Sequence, residues 1–392
     1  MDMTPEEIAL RMTGEIATDA SGVGTAFLPS PMVQNHAAFL AWLPDGQLAC
    51  AWFAGSLEGK SDISSHVALL APGSDRWSEA SRVSDDPERS EQNPVLFVEP
   101  GTGALRLFHT AQIAGNQDSS LVRTRQLMPG PNGVVSDAPE ALPLPAGTFV
   151  RAPVVVREDG AWLLPLFLCV QRPGQRWTGA HDTAAVAISE DRGASWRMVH
   201  VPGSLGCVHM SIVPLGGGRM AAFYRRRQAD FVWRAESADG GESWTVTGAT
   251  DVPNNNSSIG VIRLRDGRIA MICNPVNAQM HSDRRASLYD ELEESDDRPD
   301  ASTEGGIVPI WGVPRAPMAI VVSQDEGRSF PLRRVVEDGP GTCVSNNSVD
   351  GHNKELSYPM LIEAPDGTIH CAYTAHRRAI KHVRLPPGWL DA

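Results

Sequence analysis

Six polar residues occupy equivalent positions along the chain. Each one precedes or opens a segment in which two apolar stretches flank a glycine turn: His36, Asn93, Arg151, His209, Ser258 and Tyr358. Imidazole, phenol and guanidinium groups are side chains that enzymes use to move protons, attack carbon and hold anions. The start of an inner strand could be apolar at no structural cost, so these polar residues predict one shared site.

The elements that must position these residues are six apolar hairpins. Their turn glycines are spaced by 57, 57, 58, 49 and 100 residues and are Gly46, Gly103, Gly160, Gly218, Gly267 and Gly367. The longest gap contains an insertion at roughly 280–311, with the acidic stretch DELEESDDRPD. We expect this insertion to be a solvated surface loop, because so polar a segment does not form a strand.

A second repeat sets the register of the hairpins. The pattern Ser-x-Asp-x-Gly-x-Ser-aromatic begins at Ser189, Ser237 and Ser323, and a degenerate copy ends at Trp77. The Asp accepts hydrogen bonds in the turn, the Gly takes a positive φ, and the aromatic ring packs between sheets. Together the repeats predict an all-β fold, a single six-bladed β-propeller over residues 25–392. We expect residues 25–28 to close the ring against the last blade, and residues 1–24 to form an arm or short helix.

Composition excludes several classes of function. A net charge of −13 and a pI near 5.3 oppose a nucleic-acid-binding surface and an anionic membrane partner. The acidic N-terminus lacks the pattern of a secretory signal, and the six cysteines are scattered among apolar neighbours, so we expect a cytoplasmic protein with reduced cysteines. Eleven histidines without HxxxH or HxH spacing predict no metal and no cofactor.

The hairpins and Asp-box turns resemble the sialidase superfamily, specifically its bacterial sialidase-like branch with BNR repeats. The segments that carry the resemblance are AWFAGSLEGKSD, QNPVLF, PNNNSSIGVIRLRDGR, ELSYPMLIEAPDG and AYTAHRRAIKHVRL. It extends from about His36 to Arg384 and implies the same six-bladed propeller.

The resemblance also implies roles for particular residues. Tyr358 stands at the family's nucleophile position, and Arg225 and Arg315 match two of the three arginines that bind the substrate carboxylate. Either Glu58 or Asp62 would supply the acid, and both remain open. This chain departs from the family at two positions, because His36 replaces the first arginine and His209 replaces the glutamate that assists the tyrosine. Apart from the resemblance, the converging strand starts predict substrate contacts from Asn93 and Arg151. Arg377 in AHRRAIKH either adds a further contact or belongs to a polar final strand.

Three functions fit these residues. The first is an exo-acting glycosidase that removes a terminal acidic sugar, a nonulosonic or uronic acid, from a small glycoside. The second is a uronate lyase, because a Tyr–His pair facing a neutralised carboxylate suits proton abstraction and β-elimination. The third is a carbohydrate-binding propeller without catalysis. All three predict an acidic oligosaccharide or glycoside as the partner.

Overall fold

The chain forms six antiparallel sheets, which are the six blades of a β-propeller. The computed structural model describes residues 3–170, 172–288, 298–343, 345–348 and 350–391. The N-terminal elements are helix α1 (Pro5–Leu10) and strands β1 (Ala17–Thr18) and β2 (Gly24–Phe27). Thr4 caps the helix by accepting a hydrogen bond from the Glu7 amide.

Blades 1 to 3 follow in chain order. Blade 1 consists of β3 (Gln34–Trp42), β4 (Leu48–Gly55), β5 (Ser64–Leu70) and β6 (Ser81–Arg82). Blade 2 consists of β7 (Arg89–Val98), β8 (Leu105–Ile113), β9 (Leu121–Gly130), β10 (Gly133–Ser136) and β11 (Glu140–Ala141), with a 3₁₀ helix at Gln117–Ser119. Blade 3 consists of β12 (Thr148–Val150), β13 (Val155–Val156), β14 (Trp162–Leu168), β15 (Thr183–Ser189) and β16 (Arg197–His200).

Blades 4 to 6 complete the ring. Blade 4 consists of β17 (Cys207–Gly216), β18 (Arg219–Arg226), β19 (Phe231–Ser237) and β20 (Thr245–Pro253). Blade 5 consists of β21 (Gly260–Arg263), β22 (Ile269–Cys273), β23 (Met318–Ser323) and β24 (Leu332–Glu337). Blade 6 consists of β25 (Leu356–Glu363), β26 (Ile369–Ala375) and β27 (Ala379–Leu385), to which β2 and β1 are added. Thr25 pairs with Val383, so the N-terminal strand closes the ring as the sequence predicts.

The six hairpin turns are where the glycine spacing predicts them. All six turn glycines have a positive φ, between 72° and 92°. This conformation costs a residue without a Cβ little, which explains why each apolar hairpin reverses at glycine. The six-bladed architecture predicted from the repeats is confirmed.

The Ser-x-Asp-x-Gly-x-Ser-aromatic turns share one hydrogen-bond scheme. In the second copy, Asp239 Oδ1 accepts from Ser237 Oγ at 2.8 Å and from the Ser243 amide at 2.9 Å. The Gly241 amide donates to Ser237 Oγ at 2.9 Å, and Trp244 Nε1 donates to the Gly241 carbonyl at 3.1 Å. The aspartate therefore holds the turn and takes no part in a catalytic site.

Apolar side chains fill the space between neighbouring blades. The largest cluster joins blade 1 to its neighbours and includes Trp52 and Phe108, while a second joins blades 5 and 6 around Ile320 and Tyr373. All six cysteines are buried and free. Within the described part of the chain, no helix is long and apolar enough to cross a membrane.

Candidate active site

The innermost strands bend where they pass the mouth of the channel. In blades 1, 2, 4 and 6 the strand register shifts at this point, and a residue with positive φ lies there: Ala37 (64°), Asn93 (52°), His209 (52°) and Tyr358 (50°). Positive φ is uncommon for residues other than glycine, and such bulges redirect side chains next to active sites. The repeated bulge is therefore the backbone device that brings polar side chains from separate blades together.

Tyr358 lies at the centre of this group. The Cζ atoms of Arg151, Arg225 and Arg315 each lie 5.6 Å from the centroid of its ring. The ring of His36 packs against it at a centroid distance of 4.2 Å, and the ring of His209 at 5.5 Å. Three guanidinium groups therefore lie within cation–π distance of one phenol ring.

Arg225 makes the direct contact with the phenol. Its Nη1 donates to Tyr358 Oη at 2.6 Å, and its Nε donates to Asn256 Oδ1 at 2.8 Å. Burial lowers the pKa of Arg225 to about 10, so the side chain remains a cation near neutral pH. Its Nη2 has no hydrogen-bond partner among the described residues, and it is the donor left for an anionic ligand.

His209 is a neutral imidazole. Burial, with Arg225 close by, holds the pKa of His209 well below its usual value. Its Nδ1 lies 3.0 Å from Ser258 Oγ, and its Nε2 lies 3.5 Å from Arg225 Nη1. Since the guanidinium can only donate, Nε2 is the acceptor and Nδ1 carries the proton. His209 is therefore uncharged in the folded chain, and both of its ring nitrogens are engaged, by Ser258 and by Arg225.

A chain of buried ion pairs runs behind the tyrosine. Glu58 pairs with Arg377, whose Nε also donates to Glu355 Oε1 at 2.6 Å. Arg315 Nη1 donates to both oxygens of Glu355 at 3.2 Å. Burial alone would raise the pKa of Glu355, but Arg315 and Arg377 lower it to about 2. Within this series of ion pairs, each buried charge lies next to an opposite charge that compensates it.

Glu58 and Asp62 have different surroundings, although both lie in the loop after the first hairpin. Glu58 is buried and lines a small cavity together with His209, Arg225 and Tyr358. Asp62 is exposed, and its Oδ2 accepts the Ser56 amide at 2.9 Å. The Asp62 carboxylate thus caps the loop, and Asp62 is not among the described residues that line this cavity.

Four predicted substrate-binding residues make hydrogen bonds within the protein. His36 is fully buried against Tyr358 and bonds through Nδ1 to Thr374 Oγ1 at 2.8 Å. Arg151 Nη2 donates to the carbonyls of Ala38 and Tyr358, both at 3.0 Å. Arg315 and Arg377 are held by the carboxylates described above. Among the described residues, the cavity walls include none of these four side chains.

Asn93 does line the cavity, as the sequence predicts. Its Oδ1 is buried and has no hydrogen-bond partner among the described residues, so it offers an acceptor to a ligand. The sequence missed other lining residues: Gln92, Gln117, Phe149, Phe167, Arg227 and Leu288. Arg227 is buried with its Nε donating to Asp182 Oδ2 at 2.9 Å. A run of basic residues such as Arg225–Arg226–Arg227 usually forms a solvated surface. Only its position at the end of an inner hairpin indicates that it belongs to the site.

The insertion between β22 and β23 packs on the mouth of the site. The Trp311 ring lies 5.1 Å from Arg227 Cζ, the Ile310 amide donates to the Arg227 carbonyl at 2.8 Å, and Leu288 reaches the cavity. The expectation of a wholly solvated loop is thus wrong for these flanks. Most of the acidic stretch, residues 289–297, lies outside the described residues. Among the residues that are described, no three His, Cys, Asp or Glu side chains are placed to hold a metal ion.

A family model described as the BNR repeat-like domain matches residues 46–371. The chain belongs to the BNR repeat-like domain family. The resemblance to sialidase-like BNR propellers is thereby confirmed. No curated protein is significantly similar to this BNR repeat-like chain in sequence.

Solved sialidases share the fold of this BNR repeat-like protein. The Hadza microbial sialidase Hz136 superposes with a TM-score of 0.67 at 12% identity over 90% of this chain and 66% of its own. A K499G mutant of NanB sialidase from Streptococcus pneumoniae gives 0.63 at 11% identity, over 95% and 70%. Trypanosoma rangeli sialidase in complex with sialic acid gives 0.60 at 11% identity, over 96% and 57%. This chain therefore spans 57–70% of the length of these three. At such identities the likeness shows the fold alone.

Proposed function

We propose that this protein is an exo-acting glycosidase that removes a terminal acidic sugar, a nonulosonic or uronic acid, from small glycosides. The observation that carries the proposal is the bond from Arg225 to Tyr358 Oη in a cavity that also contains the Glu58 carboxylate. The free Nη2 of Arg225 receives the sugar carboxylate, and the unpartnered Oδ1 of Asn93 accepts a hydroxyl or amide proton. The sialidase fold of the solved neighbours supports the same reaction class.

In the proposed reaction Tyr358 Oη attacks the anomeric carbon while the glycosidic C–O bond breaks. The phenol proton passes to Glu58, which pairs with Arg377, and from Glu58 to the departing oxygen. Water then attacks the glycosyl-tyrosine bond, its proton returns through Glu58 to Tyr358, and the acidic sugar leaves. Arg225, which donates to Tyr358 Oη, stabilises this oxygen when it departs.

The Tyr358→Phe variant tests the proposal. With sialyl, ulosonyl and uronyl glycosides, we expect wild type to release free acidic sugar and Tyr358→Phe to lose at least about 1000-fold in kcat. Tyr224→Phe is the matched control, because Tyr224 is another buried tyrosine and its hydroxyl has no partner among the described residues. Activity that survives in Tyr358→Phe would contradict the nucleophile role. A wild type that binds the sugars but turns none over would be a binding propeller.

A second candidate is a uronate lyase, and one observation favours it. Within the described residues, no carboxylate is hydrogen-bonded to the Tyr358 hydroxyl, and the neutral His209 packs against its ring instead. In this reaction the Tyr–His pair would remove the proton next to the sugar carboxylate, and the leaving oxygen would then be eliminated. The two reactions differ in product. The lyase forms an unsaturated uronate that absorbs in the near ultraviolet, whereas the glycosidase consumes water and forms no such chromophore.

A further inference from the structure

The cavity beside Tyr358 is nearly closed in this structure. The space that remains within it for a water molecule is ≈ 10 Å³, about what a single water requires. Its polar wall carries Glu58, Asn93 and Arg225, and its apolar wall carries Phe149, Phe167 and Leu288. An acidic sugar can enter only if part of a wall moves. The part that moves is the one whose displacement costs the least free energy.

Phe149 and Phe167 form the fixed part of the apolar wall. They belong to paired strands of blade 3, where they face each other in the register, and their rings stack at 4.9 Å with an interplanar angle of 19°. Displacing either ring would break the inner edge of a blade. Leu288 differs because it belongs to the insertion and lies in none of the apolar clusters between the blades.

Leu288 is nonetheless held in place by specific bonds. Its carbonyl accepts Arg285 Nη2 at 2.9 Å and Asn346 Nδ2 at 2.7 Å, and its side chain is buried. The Arg285 amide in turn donates to the Trp311 carbonyl at 3.0 Å, and the Trp311 ring rests on Arg227. Among the described residues of the insertion, Leu288 thus presents an apolar side chain to the cavity, and the segment that carries it is hydrogen-bonded next to blade 4.

We propose that Leu288 is a specificity-determining residue that limits the size of the acidic sugar. Because its side chain occupies part of the space that the sugar needs, a six-carbon uronic acid requires less displacement than a nine-carbon nonulosonic acid with its longer exocyclic chain. The site therefore prefers the smaller acid. This inference rests on the proposed function in taking an acidic sugar as the ligand, but it concerns binding and does not depend on turnover.

The test is calorimetric titration of the full-length protein with two probes, D-glucuronic acid and N-acetylneuraminic acid. Wild type should bind glucuronic acid more tightly. Leu288→Ala should bind N-acetylneuraminic acid about 10-fold more tightly than wild type does, with a much smaller change for glucuronic acid, since a few methylenes in a pocket discriminate by about this factor. Val308→Ala is the matched control, because Val308 lies in the same insertion and is 66% exposed.

The outcomes separate this inference from the proposed function. Equal changes for both sugars in Leu288→Ala, no change, or no binding of either sugar by either protein would overturn the size-limiting role. If the affinities shift as expected but no glycoside is cleaved, the inference stands and the glycosidase proposal fails. If glycosides are cleaved but the sugar preference is unchanged in Leu288→Ala, the glycosidase proposal stands and the size-limiting role of Leu288 fails. A more conservative Leu288→Val variant, with an intermediate shift, guards against an effect of misfolding.

Discussion

Glu58 and Asp62 show how far two carboxylates in one loop can differ. Glu58 is 5% exposed and shares the cavity with Tyr358, whereas Asp62 is exposed and binds the Ser56 amide. Of the two, Glu58 is the one that lines the cavity, and we therefore expect it to be the acid. The amino-acid sequence leaves both open as the acid, because their side chains differ in burial and not in chemistry.

The first prediction follows from this difference. Glu58→Gln should lower kcat on the best acidic glycoside by about 100-fold or more, because an amide cannot accept and return the proton. Asp62→Asn, the matched change in the same loop, should retain wild-type activity, since its side-chain oxygen still accepts the Ser56 amide. Steady-state kinetics of the two variants decide it. A large loss in Asp62→Asn with an active Glu58→Gln would reverse the assignment.

At the scale of the elements, Glu355 connects two blades. It precedes β25 of blade 6 and binds Arg315, which precedes β23 of blade 5, as well as Arg377 and Ser357. The carboxylate is fully buried, so removing its charge leaves two buried guanidinium groups with less compensation. Breaking a buried ion pair in this way costs about 3–5 kcal/mol of stability.

The second prediction concerns the pH dependence of this connection. The pKa of Glu355 is lowered from 4.5 to about 2 in the folded chain, so the unfolded chain binds the extra proton first. Its contribution to stability is full above pH 4.5 and is lost as the pH falls toward about 2. Glu355→Gln should be less stable in urea near neutral pH, and its deficit relative to wild type should shrink across that window. Glu15→Gln, whose carboxylate is 67% exposed, is the control and should show neither effect. A deficit that stays constant with pH would contradict this account.

Local patterns explain why the blades were predictable and much of the site was not. Gly46 and Gly367 reverse their hairpins within a few residues, and Asp239 bonds to Ser237 and Ser243. These elements therefore depend only on residues that are close together in the sequence. The site depends on pairs that are distant in the chain. Arg225 and Tyr358 are 133 residues apart, and Glu58 and Arg377 are 319 residues apart. The repeat register places the first pair near each other, but it does not say which carboxylate Arg377 binds.

Ring closure brings the two ends of the chain together at the scale of the whole molecule. Where blade 6 meets blade 1, Trp77 Nε1 donates to His382 Nδ1 at 3.2 Å, and His382 Nε2 lies 3.0 Å from His370 Nδ1. Since Nδ1 of His382 is an acceptor, its Nε2 carries the proton and donates to His370. Both imidazoles must be neutral for this chain of bonds to form. Protonation of either ring would therefore weaken the closing seam.

The third prediction extends this reasoning to every buried histidine with a lowered pKa: His36, His66, His109, His209, His370 and His382. Burial is the main cause at each, and it keeps the folded chain from binding protons that the unfolded chain binds near pH 6.5. The free energy of unfolding should therefore fall as the pH drops from about 6.5 to about 4, with each histidine contributing up to about 1.4 kcal/mol per pH unit. Urea unfolding at a series of pH values measures this slope.

A single histidine can be removed to check the slope. His66 stacks on Trp52 at a centroid distance of 6.1 Å, and its Nδ1 lies 3.2 Å from the Ser64 carbonyl, so His66→Phe keeps most of the packing. The pKa of His66 is lowered from 6.5 to about 4. Between these pH values the free energy of unfolding of the variant should therefore fall by up to about 3 kcal/mol less than that of wild type. His352→Phe, at a side chain that is 75% exposed, should follow the wild-type curve. If His66→Phe also follows it, acid sensitivity of this propeller does not come from its buried imidazoles.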